Sequence, residues 1–266
     1  MDIKEYNVET KHNKQNHPWE YARAEVVLSI INNVFKKEKN NLTILDIGCG
    51  DAFFLEQISK HFKDSSFYAI DTAFSSEDIT FFEEKYKGTG IKFYKNTSDI
   101  DTVVQKIDVI LLLDVIEHIE NDVDFLSSLR SISGFNSETL VITTVPAFQS
   151  LFCLHDKWLG HHRRYSLPRL EKLIRFTGFT TISSGYFFTS LLLPRILQRS
   201  KERFLKIEDE NTITGVGDWN GSEFTTSLIK NVLLIDYKIT RLFQKIGIKI
   251  PGLSCYSVCI DKKIKR

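Results

Sequence analysis

No two of the four cysteines in this 266-residue chain stand in a CxxC pair; Cys49, Cys153, Cys255 and Cys259 are scattered. That scatter excludes a disulfide framework and suits a reducing, cytoplasmic setting. Net charge is missing as well: 35 basic side chains against 34 acidic leave a formal +1, so no whole-molecule field draws in nucleic acid or an anionic membrane. Any such contact has to come from a local patch, and nucleic acid is not expected as a partner. No apolar run approaches the roughly 20 residues that a spanning helix needs. The opening "MDIKEYNVETKHNKQNHPWE" also lacks the apolar stretch of a signal peptide. Internal repeats and low-complexity segments are absent.

What the chain does have is 42% hydrophobic and 12% aromatic residues, enough for one sizeable core. From residue 20 to 145 helix-like and strand-like stretches alternate, the pattern of an α/β sheet. Strands are expected at "LTILDI", "SFYAID", "IKFYK", "IDVILLLD" and "ETLVITTV", whose nearly continuous apolar runs suit parallel strands buried on both faces. Two more follow at "TTISSGYF" and "CYSVCID", the latter antiparallel at or near the edge, giving seven in a mostly parallel sheet with helices on both faces.

Helices are expected at "EYARAEVVLSIINNVFKK", with Val26, Ile30 and Val34 on one stripe, at "AFFLEQISKHF", "SSEDITFFEEKYK" and "NDVDFLSSLRSIS", and at "RLEKLIRFTGF" after Pro168. Later, "FFTSLLLPRILQRSKERFLK" reads as a helix interrupted by Pro194, and "EDENTITGVGDWNGS" as a polar loop. "FTTSLIKNVLLIDYKITRLFQKIG" carries one apolar stripe, Phe224, Leu228, Val232, Ile235, Ile239, Leu242 and Ile246. The chain thus divides into an N-terminal helical segment (1–40), an α/β core (41–186), a helical insertion (187–250) and a final edge strand with its tail (251–266).

The stretch "ILDIGCGDAFFL" is strand, glycine turn, helix. A dinucleotide site would show GxGxxG; here Gly48 and Gly50 are followed by Phe53. Asp51 sits where the helix starts, so a carboxylate caps the amides that a pyrophosphate would want. NAD-dependent oxidation is therefore disfavoured. A cofactor with adenosine and a cationic centre but no phosphates tolerates both Asp51 and Asp46. Asp71 closes the second strand, where a carboxylate accepts hydrogen bonds from ribose hydroxyls. The fourth strand ends "LLLDVIEH", which brings Asp114, Glu117 and His118 to the same C-terminal rim.

In these three stretches, in order and spacing over residues 43 to 145, the chain resembles the class I S-adenosylmethionine-dependent methyltransferases, with their Rossmann-like fold. "DVIEHIEND" is similar to the motif of the ubiquinone-type O-methyltransferases. The resemblance implies S-adenosylmethionine as cofactor and S-adenosylhomocysteine as product. It lets the cofactor lie over Gly48, Cys49 and Gly50, with Asp46 at its amino acid end and Asp71 and Thr72 at the ribose. Asp114 and Val115 close the site, and Asn96 and Asp99 are both candidates near adenine. Cys49 is a small packed residue, not a nucleophile. In the ubiquinone-type enzymes the Glu and His of the motif can join a divalent cation site. For Asp114, Glu117 and His118 that role is weighed below a simple hydrogen bond from His118, and no metal is assigned.

The remaining cluster is "HDKWLGHHRRYS", residues 155 to 166. Zinc bound by His155, His161 and His162 is disfavoured, because adjacent histidines rarely point the same way. Arg163 and Arg164 alone make a weak nucleic-acid patch. A solvated turn anchored by Trp158 and Tyr165 is the plain alternative. The stretch follows the fifth strand, where a loop overhangs the methyl group in this fold, so it is expected to cover the acceptor. His155, positioned by Asp156, or His161 then serves as base for a hydroxyl, and Arg163 or Arg164 holds a phosphate or carboxylate. "WEYARAEVVLSII", this loop and "GYFFTSLLLPRILQR" also resemble a bacterial subgroup associated with cell-surface glycan or lipid pathways, which puts Trp19, Arg23, His118 and Tyr165 on the substrate side.

The expected function is methyl transfer to a hydroxyl of a small or lipid-linked metabolite of the sugar or glycolipid type; a catalytically inactive cofactor-binding scaffold of the same fold is the alternative. "FFTSLLLP" precedes Arg195, Arg199, Lys201, Arg203 and Lys206, the composition of an interfacial helix, so peripheral membrane contact through 187–206, at the inner face of the membrane, competes with plain packing.

Overall fold

A computed structural model describes residues 16–35, 41–205 and 219–262. The segment 1–15, Lys206 and most of the polar loop read at 208–222 lie outside them. One seven-stranded sheet forms the centre: β1 (Thr43–Ile47), β2 (Ser66–Ile70), β3 (Ile91–Tyr94), β4 (Val109–Leu113), β5 (Leu140–Pro146), β6 (Phe179–Phe187) and β7 (Ser254–Asp261), in the order β3-β2-β1-β4-β5-β7-β6. Strands β1 to β5 pair in parallel, with Ile44 beside Phe67 and Val109, and β7 runs antiparallel to both β5 and β6. The sheet is therefore the expected α/β, Rossmann-like one. The last strand is antiparallel and near the edge, as expected, but is not the edge strand itself: it is inserted between β5 and β6, so β6 is the edge. Its run "SCYSVCID" is buried along almost its whole length, and a strand so covered needs a neighbour on each side.

Successive residues of each strand feed two cores. Ile44, Phe67, Val109 and Leu111 face one layer, and Leu45, Tyr68, Ile110 and Leu112 face the other. This alternation is the two-residue period of a strand, so a continuous apolar run fills both layers at once.

Eight α-helices surround the sheet among the described residues: α1 (Pro18–Phe35), α2 (Phe53–Ser59), α3 (Ser76–Lys85), α4 (Asp122–Ser128), α5 (Leu154–Leu159), α6 (Leu167–Phe176), α7 (Leu192–Phe204) and α8 (Glu223–Lys245). Helix α1 is buried on more than the expected stripe, since Val27, Ile31 and Ala22 are covered as well as Val26 and Ile30. The reason is α8, which packs along it. Pro194 does not interrupt α7. It is the third residue of that helix, in the first turn, where a missing N–H leaves no bond unmade. The loop after β5 is folded, containing α5, and is closed at its base by an Ala147–Tyr165 bridge.

Candidate active site

The sheet reverses its strand order between β1 and β4, and ligands of open α/β sheets sit outside the strand ends at such a point. A cavity of about 620 Å³ lies there. Its floor is the turn after β1. Gly48 and Cys49 donate to the carbonyl of Ile70 at 2.7 and 3.1 Å, which ties the turn to the end of β2. Gly48 has φ +72°, and a Cβ there would stand 2.7 Å from Cγ2 of Val115, so the position admits only glycine without a shift. The Gly50 and Ala73 amides donate to Asp71 at 3.0 and 2.9 Å, and the two bonds aim its carboxylate. Asp51 accepts from the Phe53 amide at 3.2 Å, the self-capping expected from the sequence.

Asp46 is 1% exposed, and its Oδ1 has no hydrogen-bond partner. Burial pushes its pKa up to about 7, reinforced by Asp71 and Asp51 and opposed by Arg23. Arg23 comes from α1: it pairs with Asp114 at 3.1 Å, lies 5.0 Å over the Trp19 ring, and keeps a buried Nε without a partner. Asp114 sits at φ +57°, held by a 3.0 Å bond from the Thr144 hydroxyl. Left-handed backbone is tolerated by aspartate better than by most residues. An unpaired buried carboxylate oxygen at one end and an aimed carboxylate at the β2 end fit the ammonium and ribose of S-adenosylmethionine. The Gly48, Cys49, Gly50, Ala52 and Phe53 amides, which a pyrophosphate would want, are already bonded to Ile70, Asp71, Cys49 and Asp51.

The loop after β5 forms the opposite wall. Asp156 is fully buried; its Oδ1 accepts from His161 Nδ1 and from Arg164 Nε, each at 2.9 Å, and its Oδ2 from the Cys153 amide at 2.9 Å. Burial alone would raise its pKa, but the bonds from His161 and Arg164 hold it well below the usual carboxylate range. His155 is lowered to about 4, by burial first and then by Arg195, so it stands neutral. Glu117 is 0% exposed with both carboxylate oxygens unpartnered. Burial, helped by Asp114, pushes its pKa well up. The His118 and His161 rings meet edge to face at 4.5 Å, and Glu117, His118 and His161 offer ligand atoms within 4.8 Å of one another.

Of the residues singled out in sequence, Asp46, Gly48, Cys49, Gly50, Asp71, Thr72, Asp114 and Val115 line this cavity, as do Trp19, Arg23, His118, His155, Asp156, His161 and Arg164. Four do not. Asn96 and Asp99 cap a short turn after β3, the Asp99 carboxylate accepting from the Asn96 amide at 2.9 Å. Arg163 is drawn away to Asp122 at 3.0 Å and the Glu120 carbonyl at 2.7 Å. Tyr165 is wholly buried, donating to the same Asp122 at 2.7 Å. Asp122 begins α4, and its two bonds pin the loop's exit. His162 is exposed, outside the lining.

Two residues that sequence reasoning passed over belong to the wall. Glu117 was weighed only as a metal ligand, although a carboxylate next to His118 on the rim was the available signal. Arg195 lay in a segment read for membrane contact. It lines the cavity, donates to Cys153 Sγ at 3.2 Å and to Gln198 at 3.1 Å, and makes no ion pair within 4.0 Å among the described residues. Leu191, one turn earlier, lines the cavity with it.

A methyltransferase-domain family model matches residues 19–184. No curated protein matches the sequence. Among solved structures, the plantazolicin methyltransferase BpumL, solved with a pentazolic desmethylPZN analogue and SAH, is 18% identical with TM-score 0.55, over 97% of this chain and 89% of that one. Phosphoethanolamine N-methyltransferase 2 of Haemonchus contortus, solved with S-adenosyl-L-methionine, is 14% identical with TM-score 0.52, over 89% of this chain and 52% of that one. At these identities the structures share the fold. The family match spans more than half of the chain, which therefore belongs to the methyltransferase-domain family.

Proposed function

We propose that the protein transfers a methyl group from S-adenosylmethionine to a hydroxyl of a small or lipid-linked acceptor carrying an anionic group, in the sugar or glycolipid class, as in the bacterial surface-glycan subgroup its loop resembles. The observation that carries this reading is the Asp156–His161 pair at the cavity wall. Bound across Asp46 and Asp71, the cofactor supplies an electrophilic methyl carbon on a sulfonium. The acceptor oxygen would bond to that carbon in line with the breaking carbon–sulfur bond, S-adenosylhomocysteine being the leaving group, and alignment and a dry site are the main requirements.

A hydroxyl must lose its proton in that step. His161 gives its Nδ1–H to Asp156, which leaves Nε2 as the acceptor of that proton and Asp156 to stabilise the imidazolium formed. His155, kept neutral by burial, lies on the same wall. The unpartnered Glu117 carboxyl is supplied with a hydrogen bond by the acceptor. Arg164 is spent on Asp156 and Arg163 on Asp122, so the anionic group of the acceptor falls to Arg195. Transfer of tritiated methyl into fractionated cell extract tests the reading, through the identity of the labelled product. An anionic hydroxyl compound is expected; label in amines alone would overturn the hydroxyl assignment, and no label at all would favour a catalytically inactive scaffold.

A further inference from the structure

The apolar stripe of α8 faces away from the protein. Phe224, Leu228, Val232, Ile235, Ile239, Leu242 and Ile246 are each between 49 and 78% exposed, while Leu233, Tyr237 and Thr240 on the other side are buried. That inner side is anchored at several points: Lys230 to Glu25 at 3.3 Å, Asp236 to the Ser190 amide at 2.7 Å, and Arg241 to the Tyr256 hydroxyl at 3.2 Å. The outward stripe is thus fixed by packing. Helix α7 repeats the arrangement. Arg195 points into the cavity, whereas Leu193, Ile196, Leu197 and Phe204 are exposed. Soluble monomers rarely present so much contiguous apolar surface without a partner.

We infer that the outward faces of α7 and α8 dock on an anionic lipid bilayer. Charge argues for this occupant. Apart from Arg195, which lines the cavity, helix α7 has three basic residues against one acidic, and α8 four against two, in a chain whose total is only +1. Lys201, Arg203, Lys238 and Lys245 make no ion pair within 4.0 Å among the described residues, and no acidic residue interrupts the stripe. Lys238 stands one turn from Ile235 and Leu242, and Lys245 one turn from Leu242, so cations rim the apolar strip as headgroup contacts require.

Spacing alone does not choose the occupant: intervals of four, four, three, four, three and four residues run the stripe along the roughly 34 Å of the 23-residue helix and, from Leu228 to Ile246, are also those of a helix-pairing heptad. The cations beside the stripe are what favour an anionic lipid surface over a second apolar helix. On α7, the side lining the cavity and the outward side are about 10 Å apart, so docking brings the cavity to the membrane surface. No helix among the described residues is long and apolar enough to cross a membrane, so the contact lies in the interface.

Flotation with vesicles of phosphatidylcholine containing one-third phosphatidylglycerol, without cofactor or acceptor, tests this independently of methyl transfer. The full chain is expected to float with these vesicles, and not with pure phosphatidylcholine. Lys238→Gln with Lys245→Gln should weaken binding about 30-fold, at about 1 kcal/mol per charge near the surface. Leu228→Ser, Ile235→Ser and Leu242→Ser together should abolish it while leaving the circular dichroism spectrum unchanged. If this triple variant misfolds, the lysine pair decides alone. Equal flotation of the lysine variant and the parent, no flotation of the parent, or a dimer in sedimentation that the stripe substitutions dissociate without any vesicle binding would each overturn the inference.

Discussion

His161 Nδ1 lies 2.9 Å from Asp156 Oδ1, and the same oxygen accepts Arg164 Nε at 2.9 Å. One buried carboxylate thus orients a ring on the cavity wall and is itself neutralised by an arginine. His161→Ala should lower the rate of methyl transfer by about 10² to 10⁴, the usual worth of a positioned base. Cofactor affinity should stay within about twofold, because His161 lies on the wall opposite Asp46 and Asp71. Single-turnover transfer alongside calorimetry separates the two effects. A rate within twofold of the parent would return the loop to a structural role.

Asp156 also makes stability depend on pH. Its pKa is depressed in the folded state, so its contribution is full above the ordinary carboxylate value near 4 and is lost as pH falls below it. Asp156→Asn should therefore lower the melting temperature at pH 7 and narrow its gap from the parent below pH 4. Parallel melting curves across that range would refute the assignment.

Asp46 works in the opposite direction. Its folded pKa is raised to about 7, so the empty site carries a proton on it at lower pH, while an ammonium ligand favours the ionised form. Affinity for S-adenosylmethionine should rise up to about tenfold per pH unit below 7 and level off above it. Calorimetry in buffers of different ionisation enthalpy should detect the proton released on binding. Asp46→Asn should bind weakly and without this slope.

Gly48→Ala meets two obstacles: its Cβ stands 2.7 Å from Val115 Cγ2, and its φ of +72° is unfavourable for alanine. A loss of about 1–3 kcal/mol of stability is expected, with weaker cofactor binding. Adding Val115→Ala should restore only the part due to contact. Full recovery in thermal melts would show that backbone conformation costs nothing there.

Arg195→Gln should raise KM for an anionic acceptor by about 10- to 100-fold, the worth of a charged hydrogen bond, and leave cofactor affinity alone. Its helix also carries the outward apolar face, so vesicle flotation of this variant should match the parent. An unchanged KM would leave the acceptor's anionic group without a partner on this wall.

How legible each part was in sequence follows from how local its causes are. Asp46, Gly48, Gly50 and Asp71 lie at strand ends and in the turn between strand and helix, and each is placed by the few residues around it. The seven strands were legible for the same reason, each being marked by its own residues, and the buried runs of β1, β2, β4 and β5 are long enough to fill two layers. The position of β7 was not, since its neighbours are strands more than 65 residues earlier in the chain.

The arginines divide along that line. "HHRRY" places Arg163 and Arg164 side by side, yet Asp122, 41 residues earlier, claims one and Asp156 the other, while Arg195 from another helix reaches the cavity. Ion pairing is decided by which carboxylate lies within a few ångströms, and adjacent positions in a loop point in different directions. Likewise the spacing of Phe224 to Ile246 settled by itself that an apolar stripe runs along a helix. Only the tertiary structure decided that this stripe faces outward, because periodicity fixes the angle between side chains and not the side from which the rest of the protein approaches.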